Sequence, residues 1–339
     1  MDLVTFGEAM VRLTPPNCQR LEQARSLDVY VGGGELNVAV GAARLGLGTS
    51  WVSRLSDNQL GRMIANRARE QGVDTGHVLW TRDDRAGLYF AELGAAPRAS
   101  SVLYDRANSA IAGVAPGMVD WKRAFKGTRW FHTSGITPAL SDSAAATVSE
   151  ALGAAKSAGL TVSYDLNFRS KLWSADKARA VQEPLMQHVD ILIVTEEDAR
   201  VVFGITSGKA SGEYANIDAE SYVDVARQLQ DKFDVGVVAI TLRENPRVWQ
   251  NSWSALVLAE GKVHRAPTYE VEIVDRIGAG DAFAAGLVFG KLCHDSWEKA
   301  VRYGTALSAL KHTVPGDFSQ STLAEVEQLL KGTSLRVSR

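Results

Sequence analysis

The stretch Glu270-Val271-Glu272-Ile273-Val274, then Asp275-Arg276-Ile277-Gly278-Ala279-Gly280-Asp281, then Ala282-Phe283-Ala284-Ala285-Gly286-Leu287 carries the strongest local signal in the chain. Its three parts read as a strand, a small-residue turn and the opening of a helix over 282–292. In that order, backbone N–H groups converge at a helix start, where an anion can be held. Gly278, Ala279 and Gly280 lack bulk, so the backbone can approach a phosphate closely. Amides already in place would meet the charge of a transferring phosphoryl group. Asp281, at the head of the helix, has a carboxylate that can take the proton of an attacking hydroxyl. A plain glycine turn with an aspartate N-cap accounts for the same residues, and the segment alone leaves both readings open. It is not a P-loop, since no Gly-Lys-Ser/Thr follows the glycines.

Outward from this stretch, strands and helices alternate. Strands are expected at 3–6, 51–54, 78–80, 130–133, 161–165, 191–194, 235–241 and 254–258. Helices are expected at 36–45, 58–71, 143–158, 175–188, 196–203, 219–232, 295–312 and 321–331. Such alternation predicts an α/β fold: a mostly parallel central sheet with helices on both faces. Two segments break the rhythm, 9–33 and 84–108, with short β patterns around 27–31, 88–93 and 101–104. They predict a small β-sheet lid over the carboxyl ends of the core strands, where open α/β sheets bind ligands. The division is therefore a core of 1–8, 34–83 and 109–331, a lid of 9–33 and 84–108, and a fraying tail of 332–339. The polar stretch 206–218 reads as a mobile loop.

Composition narrows the function. The 339 residues hold 37 basic and 39 acidic side chains, a net charge of -2, which gives no bulk attraction to nucleic acid or an anionic membrane. No run approaches the ~18 apolar residues of a membrane span. Cys18 and Cys293 are too few for a disulfide framework, and the start of the chain lacks a secretory pattern, so a cytoplasmic setting is expected. No Gly-x-Ser-x-Gly elbow supports a hydrolase, and no His/Cys cluster has metal-ligand spacing, so His132 and His312 are not read as ligands. Gly32-Gly33-Gly34 lacks the Gly-x-Gly-x-x-Gly spacing of a nicotinamide enzyme. Trp51, Trp80, Trp121 and Trp130 read as packing residues.

A second constellation lies upstream. In Gly32-Gly33-Gly34-Glu35-Leu36-Asn37-Val38-Ala39, a glycine turn opens a helix with Asn37 in its first turn. An amide side chain can donate to and accept from a sugar hydroxyl. Taken alone, a turn and a helix cap is the simpler reading. Together, however, the two segments resemble the signatures of the ribokinase/PfkB-type carbohydrate kinases: Gly33-Gly34-x-x-Asn37-x-Ala39 running on to Ala43-Arg44-Leu45-Gly46, and Asp275-x-x-Gly278-Ala279-Gly280-Asp281. Element order and the two β insertions extend the resemblance over nearly the whole chain. Within the family it is closest to the 2-keto-3-deoxygluconate kinases, through Tyr104-Asp105-Arg106, 133–140, 165–173 and 311–317.

The resemblance implies a ribokinase-like fold and an ATP-dependent kinase that phosphorylates a sugar acid at its terminal hydroxyl. By position it makes Asp281 the general base and Gly278, Ala279 and Gly280 the anion hole. Gly34, Asn37, Tyr89 and Tyr104 would bind sugar hydroxyls, Arg106 and Arg169 the acid end, and Asp317 a further part of the substrate. Thr241 and Arg243 would lie against nucleotide phosphates along with Gly278 and Gly280. Guanidinium forks match a planar carboxylate with two parallel hydrogen bonds, which independently suits the two arginines, although a solvated surface charge is the ordinary fate of Arg. Tyr89 and Tyr104 also fit plain cross-strand packing.

The implied cofactors are ATP and Mg²⁺, with room for a monovalent cation, and a homo-oligomer is expected because lid strands expose sheet edges. The sequence departs from the family at Arg276, where Thr is common, and at Thr195-Glu196-Glu197-Asp198, where Asn-x-x-Glu is usual; there Asp198 takes the indirect metal role. The aromatic segment 243–253 would shape an adenine pocket or a subunit contact. The alternatives are a kinase for a neutral sugar such as fructose or ribose, and a catalytically silent sugar-binding protein on the same fold.

Overall fold

A computed structural model describes residues 1–207, 219–247 and 249–332, with the side chains of Ala219 and of 243–247 left aside. Most of the 206–218 loop, all but the first residue of the 332–339 tail and the Arg243 side chain therefore lie outside the described residues.

Two sheets organise the chain. The strands are β1 (Leu3–Phe6), β2 (Met10–Thr14), β3 (Asp28–Gly32), β4 (Thr49–Ser56), β5 (Val78–Thr81), β6 (Leu88–Glu92), β7 (Ser101–Asp105), β8 (Trp130–Ser134), β9 (Thr161–Asp165), β10 (Ile191–Val194), β11 (Val237–Arg247), β12 (Gln250–Ala259), β13 (Lys262–Arg265) and β14 (Tyr269–Glu272). The large sheet runs β13-β12-β11-β10-β9-β8-β1-β4-β5, and β14 also pairs with β12. From β11 to β5 every pairing is parallel. β1, β8 and β10 are buried along their whole length, so Ile191–Val194 is an unbroken apolar run, while the alternating Leu3–Phe6 stretch is buried on both faces, Thr5 included.

The small sheet runs β3-β2-β6-β7, so the two β-only segments meet through a parallel β2–β6 pair, Arg12 facing Tyr89. Its inner face turns Met10, Tyr89, Ala91 and Tyr104 toward Ile277 of the glycine turn. The Ala279–His294 helix lies on the large sheet, packed against the Gly34–Arg44 and Trp297–Lys311 helices. That packing brings the two glycine turns together.

Several expectations are corrected. β11 runs on to Arg247 and pairs antiparallel with β12, because the aromatic 243–253 segment is the tip of one long hairpin. β2, β13 and the short Trp121–Ala124 helix lie outside the expected elements. The 175–188 helix tightens to a 3₁₀ turn from Glu183, where Pro184 interrupts α-helical hydrogen bonding. Trp80 is 44% exposed on edge strand β5, so only Trp51, Trp121 and Trp130 pack as expected. Among the described residues no helix is long and apolar enough to cross a membrane.

Candidate active site

A cavity of about 690 Å³ opens between the carboxyl ends of the core strands and the small sheet. The core contributes Asp165 at the end of β9, Thr195 and Asp198 after β10, and Thr241 on β11. The small sheet contributes Tyr89, Tyr104 and Arg106, and both glycine turns close the wall between them. Every sequence-predicted site residue with a described side chain lines this one space. Arg243 is placed only by its backbone, which pairs with Trp253.

Asp281 is the third residue of the Ala279–His294 helix, not its cap. The cap is Gly278, at φ 87°, and a Cβ there would lie 2.1 Å from the Asp317 carbonyl. Only glycine meets both demands. The Asp281 side chain turns away from its own helix: Oδ2 accepts a 2.6 Å hydrogen bond from Asn37 Nδ2. Asn37 Oδ1 in turn accepts from the Gly33 N–H at 3.3 Å, so both ends of the amide are engaged. Oδ1 of Asp281 carries no further hydrogen bond among the described residues and lies 3.6 Å from where a Gly34 Cβ would stand. Burial pushes the Asp281 carboxyl up to about 6, against the pull of Asn37 and Arg169. A carboxylate in that range is ionised at neutral pH yet basic enough to take a proton.

The turn differs in one detail from its sequence reading. The Ala279 N–H closes on the Arg276 carbonyl at 3.3 Å. The N–H groups of Gly278, Gly280 and Asp281 make no backbone hydrogen bond among the described residues. The amide set available to an anion is therefore 278, 280 and 281, with Ala279 supplying smallness rather than a donor.

On the small-sheet side, the charged groups are already paired. Tyr89 Oη donates to Asp317 Oδ1, and Arg12 bridges Asp317 at 2.8 Å and Asp275 at 2.7 Å with no solvent exposure. Arg106 donates to Glu8, which also accepts from Ser109, and Nε of Arg106 has no partner among the described residues. Thus Arg106 and Asp317 line the cavity as members of ion pairs rather than as open contacts. The Arg12–Asp275–Asp317 cluster and the Glu8–Arg106 pair are not legible from the sequence. An Arg in a short alternating strand looks like a surface charge, and nothing local points to two acids more than 260 positions away.

Arg169 differs. It is exposed into the cavity, and no described residue hydrogen-bonds or ion-pairs with its guanidinium. Its charge reaches both Asp165 and Asp281. Asp165 is held well above the usual carboxylate range by burial and by the negative Asp281 and Asp198. Glu35, fully buried, accepts from Ser134 and Thr137, and burial raises it to about 7. Sequence reading passed over Glu35 as a helix residue, since its partners lie a hundred positions downstream.

These acids bear on a divalent cation. Among the described residues no group of three or more His, Cys, Asp or Glu could hold a metal alone. Asp198 and Glu197 on the cavity wall fit an ion such as Mg²⁺, which keeps waters and shares phosphate oxygens. On the same wall, buried Asn251 Oδ1 and Trp253 Nε1 have no hydrogen-bond partner among the described residues, and the Trp253 ring packs on His312 at 5.0 Å. An unsatisfied acceptor and donor beside a flat apolar wall fit a heteroaromatic base.

Comparison with known proteins agrees with this architecture. The model of the pfkB family carbohydrate kinases matches residues 1–322. The chain is 40% identical over 340 residues to the 2-dehydro-3-deoxygalactonokinase of Haloferax volcanii, spanning 100% of this chain and 99% of that protein. It is 29% identical over 317 residues to the 2-dehydro-3-deoxygluconokinase of Bacillus subtilis, spanning 94% and 91%. The crystal structure of the Thermotoga maritima 2-dehydro-3-deoxygluconokinase superposes with a TM-score of 0.92 at 42% identity, covering 98% of each chain. The chain belongs to the PfkB family of carbohydrate kinases, with the ribokinase-like α/β fold.

Proposed function

We propose that this kinase transfers the γ-phosphoryl group of ATP to the terminal hydroxyl of a 2-keto-3-deoxy sugar acid, 2-keto-3-deoxygluconate before its galactonate epimer. The observation that carries the reading is Arg169, a guanidinium open to the cavity without an acidic partner among the described residues. A substrate carboxylate supplies that partner, and a neutral sugar does not. The names of the relatives support the same substrate class.

In this reading the sugar lies between Gly34, Asn37, Tyr89 and Tyr104, its acid end at Arg169 with Arg106 behind, and Asp317 orders that wall through Tyr89. Asp281 takes the hydroxyl proton as the oxygen attacks phosphorus, while the bond to the ADP oxygen breaks in line. The N–H groups of 278, 280 and 281 meet the charge on the transferring group. Mg²⁺, when bound, neutralises phosphate charge, and Asp198 would orient its water. Thr241 faces the phosphates. The small sheet acts as a lid whose closure excludes water, which would otherwise compete as acceptor.

The chain also self-associates in this reading. Val29, Leu13, Phe90 and Leu103 form one in-register apolar row across the outer face of the small sheet, with Leu103 60% exposed. Light scattering should report a dimer or larger, and Leu103→Lys should dissociate it.

A coupled ADP-release assay over sugar acids and neutral sugars tests the substrate. Arg169→Ala should raise KM for the acid about 100-fold and leave any neutral ketose within about threefold. Equal losses on both would make the substrate neutral. No turnover with any sugar would leave a silent binding protein.

A further inference from the structure

Lys311 is a buried cation that the mechanism above does not use. It ends the Trp297–Lys311 helix with no solvent exposure. Its Nζ donates to the main-chain carbonyls of Asp275 at 3.0 Å and Val314 at 3.3 Å. Burial holds its ammonium below the usual lysine range, a pull that the Asp275 and Asp317 carboxylates oppose without cancelling. Asp275 is itself the hub of the turn: Oδ1 accepts from the Ile277 N–H at 3.0 Å, Oδ2 from the Gly316 N–H at 3.0 Å, and Arg12 pairs with it. The same helix end latches the turn again. The His312 carbonyl accepts from the Val274 and Asp275 N–H groups, and Ser308 Oγ donates to the Ala279 carbonyl at 2.6 Å. Within this cluster two acids, Asp275 and Asp317, balance two bases, Arg12 and Lys311.

A charged group coordinated by carbonyl oxygens in a dry site does what a small monovalent ion does there. We propose that Lys311 is a positioning residue whose ammonium is a built-in monovalent cation: it ties the Asp275 and Val314 carbonyls, holds the Asp275–Asp281 turn with its amides aimed into the cavity, and frees the enzyme from any need for added potassium or ammonium. The proposal rests on the phosphoryl-transfer reading of that turn. Lys311→Met keeps the stem and removes only the charged donor, leaving two unpaired carbonyls and one excess negative charge.

The test uses the full chain in tetramethylammonium chloride, an ion too large for the site, with potassium or ammonium chloride added at constant ionic strength. Wild-type kcat should stay within about 1.5-fold across these salts, and Lys311→Met should lose about 100-fold in kcat with the sugar KM within about threefold. Ammonium should restore at least about tenfold of the lost kcat, and should raise the melting temperature of the variant but not of wild type. The proposal is overturned by wild-type activation of more than about threefold, by a folded variant that retains kcat within about threefold, or by a loss that no small cation repairs. If the variant does not fold, the wild-type salt series decides. A wild type that phosphorylates no sugar counts against the proposed function, and the melting comparison then decides the role of Lys311.

Discussion

The two walls of the cavity treat their charged groups in opposite ways. On the small-sheet wall each charge has a partner: Arg12 with Asp275 and Asp317, Arg106 with Glu8, Tyr89 with Asp317. On the core wall Asp165, Asp281 and Arg169 stand close enough to perturb one another, and Asp281 is held by a single amide. Paired groups give shape. Open groups give chemistry, because a carboxylate that is raised toward neutrality and left without an ion-pair partner can exchange a proton near working pH. The glycine turn belongs to both walls: Asp275 at its start is bound into the paired network, and Asp281 at its end faces the open one.

The sharpest way to break this contrast is Asp281→Asn. The side chain keeps its size and its Asn37 contact but cannot take a proton, so kcat should fall by about 10³–10⁴ while ATP affinity stays within about twofold. Turnover near wild type would mean that the core wall is not where the proton goes. On the opposite wall, Arg12→Met leaves two buried carboxylates without their cation. It should cost about 3–5 kcal/mol of stability, read as a lower denaturation midpoint. A midpoint unchanged from wild type would show that the small sheet is not anchored through this pair.

Acidity separates the walls again. As the proposed base, Asp281 would have to be ionised, so kcat/KM should drop about tenfold per unit as pH falls below about 6. A profile flat to pH 5 would contradict it. The smallest effect concerns stability. The Asp281 carboxyl lies above its ordinary 3.8 in the folded chain, so its ionisation favours unfolding, and stability is lost as pH rises from near 4 through about 6. Asp281→Asn should therefore stabilise the chain at pH 8, by about 1 kcal/mol after allowing for the open cavity on one side. Calorimetry showing a destabilised variant would reverse the sign.

Much of this was legible in the sequence where the signal is local. The strand–turn–helix over 270–292, the alternating stretch of β1, the continuous apolar run of β10, and the two β-only segments each declare themselves locally. The candidate site residues follow from the two glycine turns and the family likeness, and those with described side chains line one cavity. What escaped is what depends on a distant partner. Glu35 looks like an exposed first-turn acid until Ser134 and Thr137 reach it. Arg12 and Lys311 look like surface charges until Asp275 lies beside them. Ala279 looks like an amide donor until the actual turn aims its N–H at Arg276.

The sequence by itself determined the alternation of strands and helices, the two glycine turns and the types of side chain placed around them. These follow from periodicity and from the conformations that glycine allows, which act over a few residues. Only the tertiary structure decided which acid is open and which is paired, and how far each departs from its solution acidity. Those properties depend on burial and on charges contributed by strands and helices far apart along the chain, and they come into existence only when the two walls close on the same cavity.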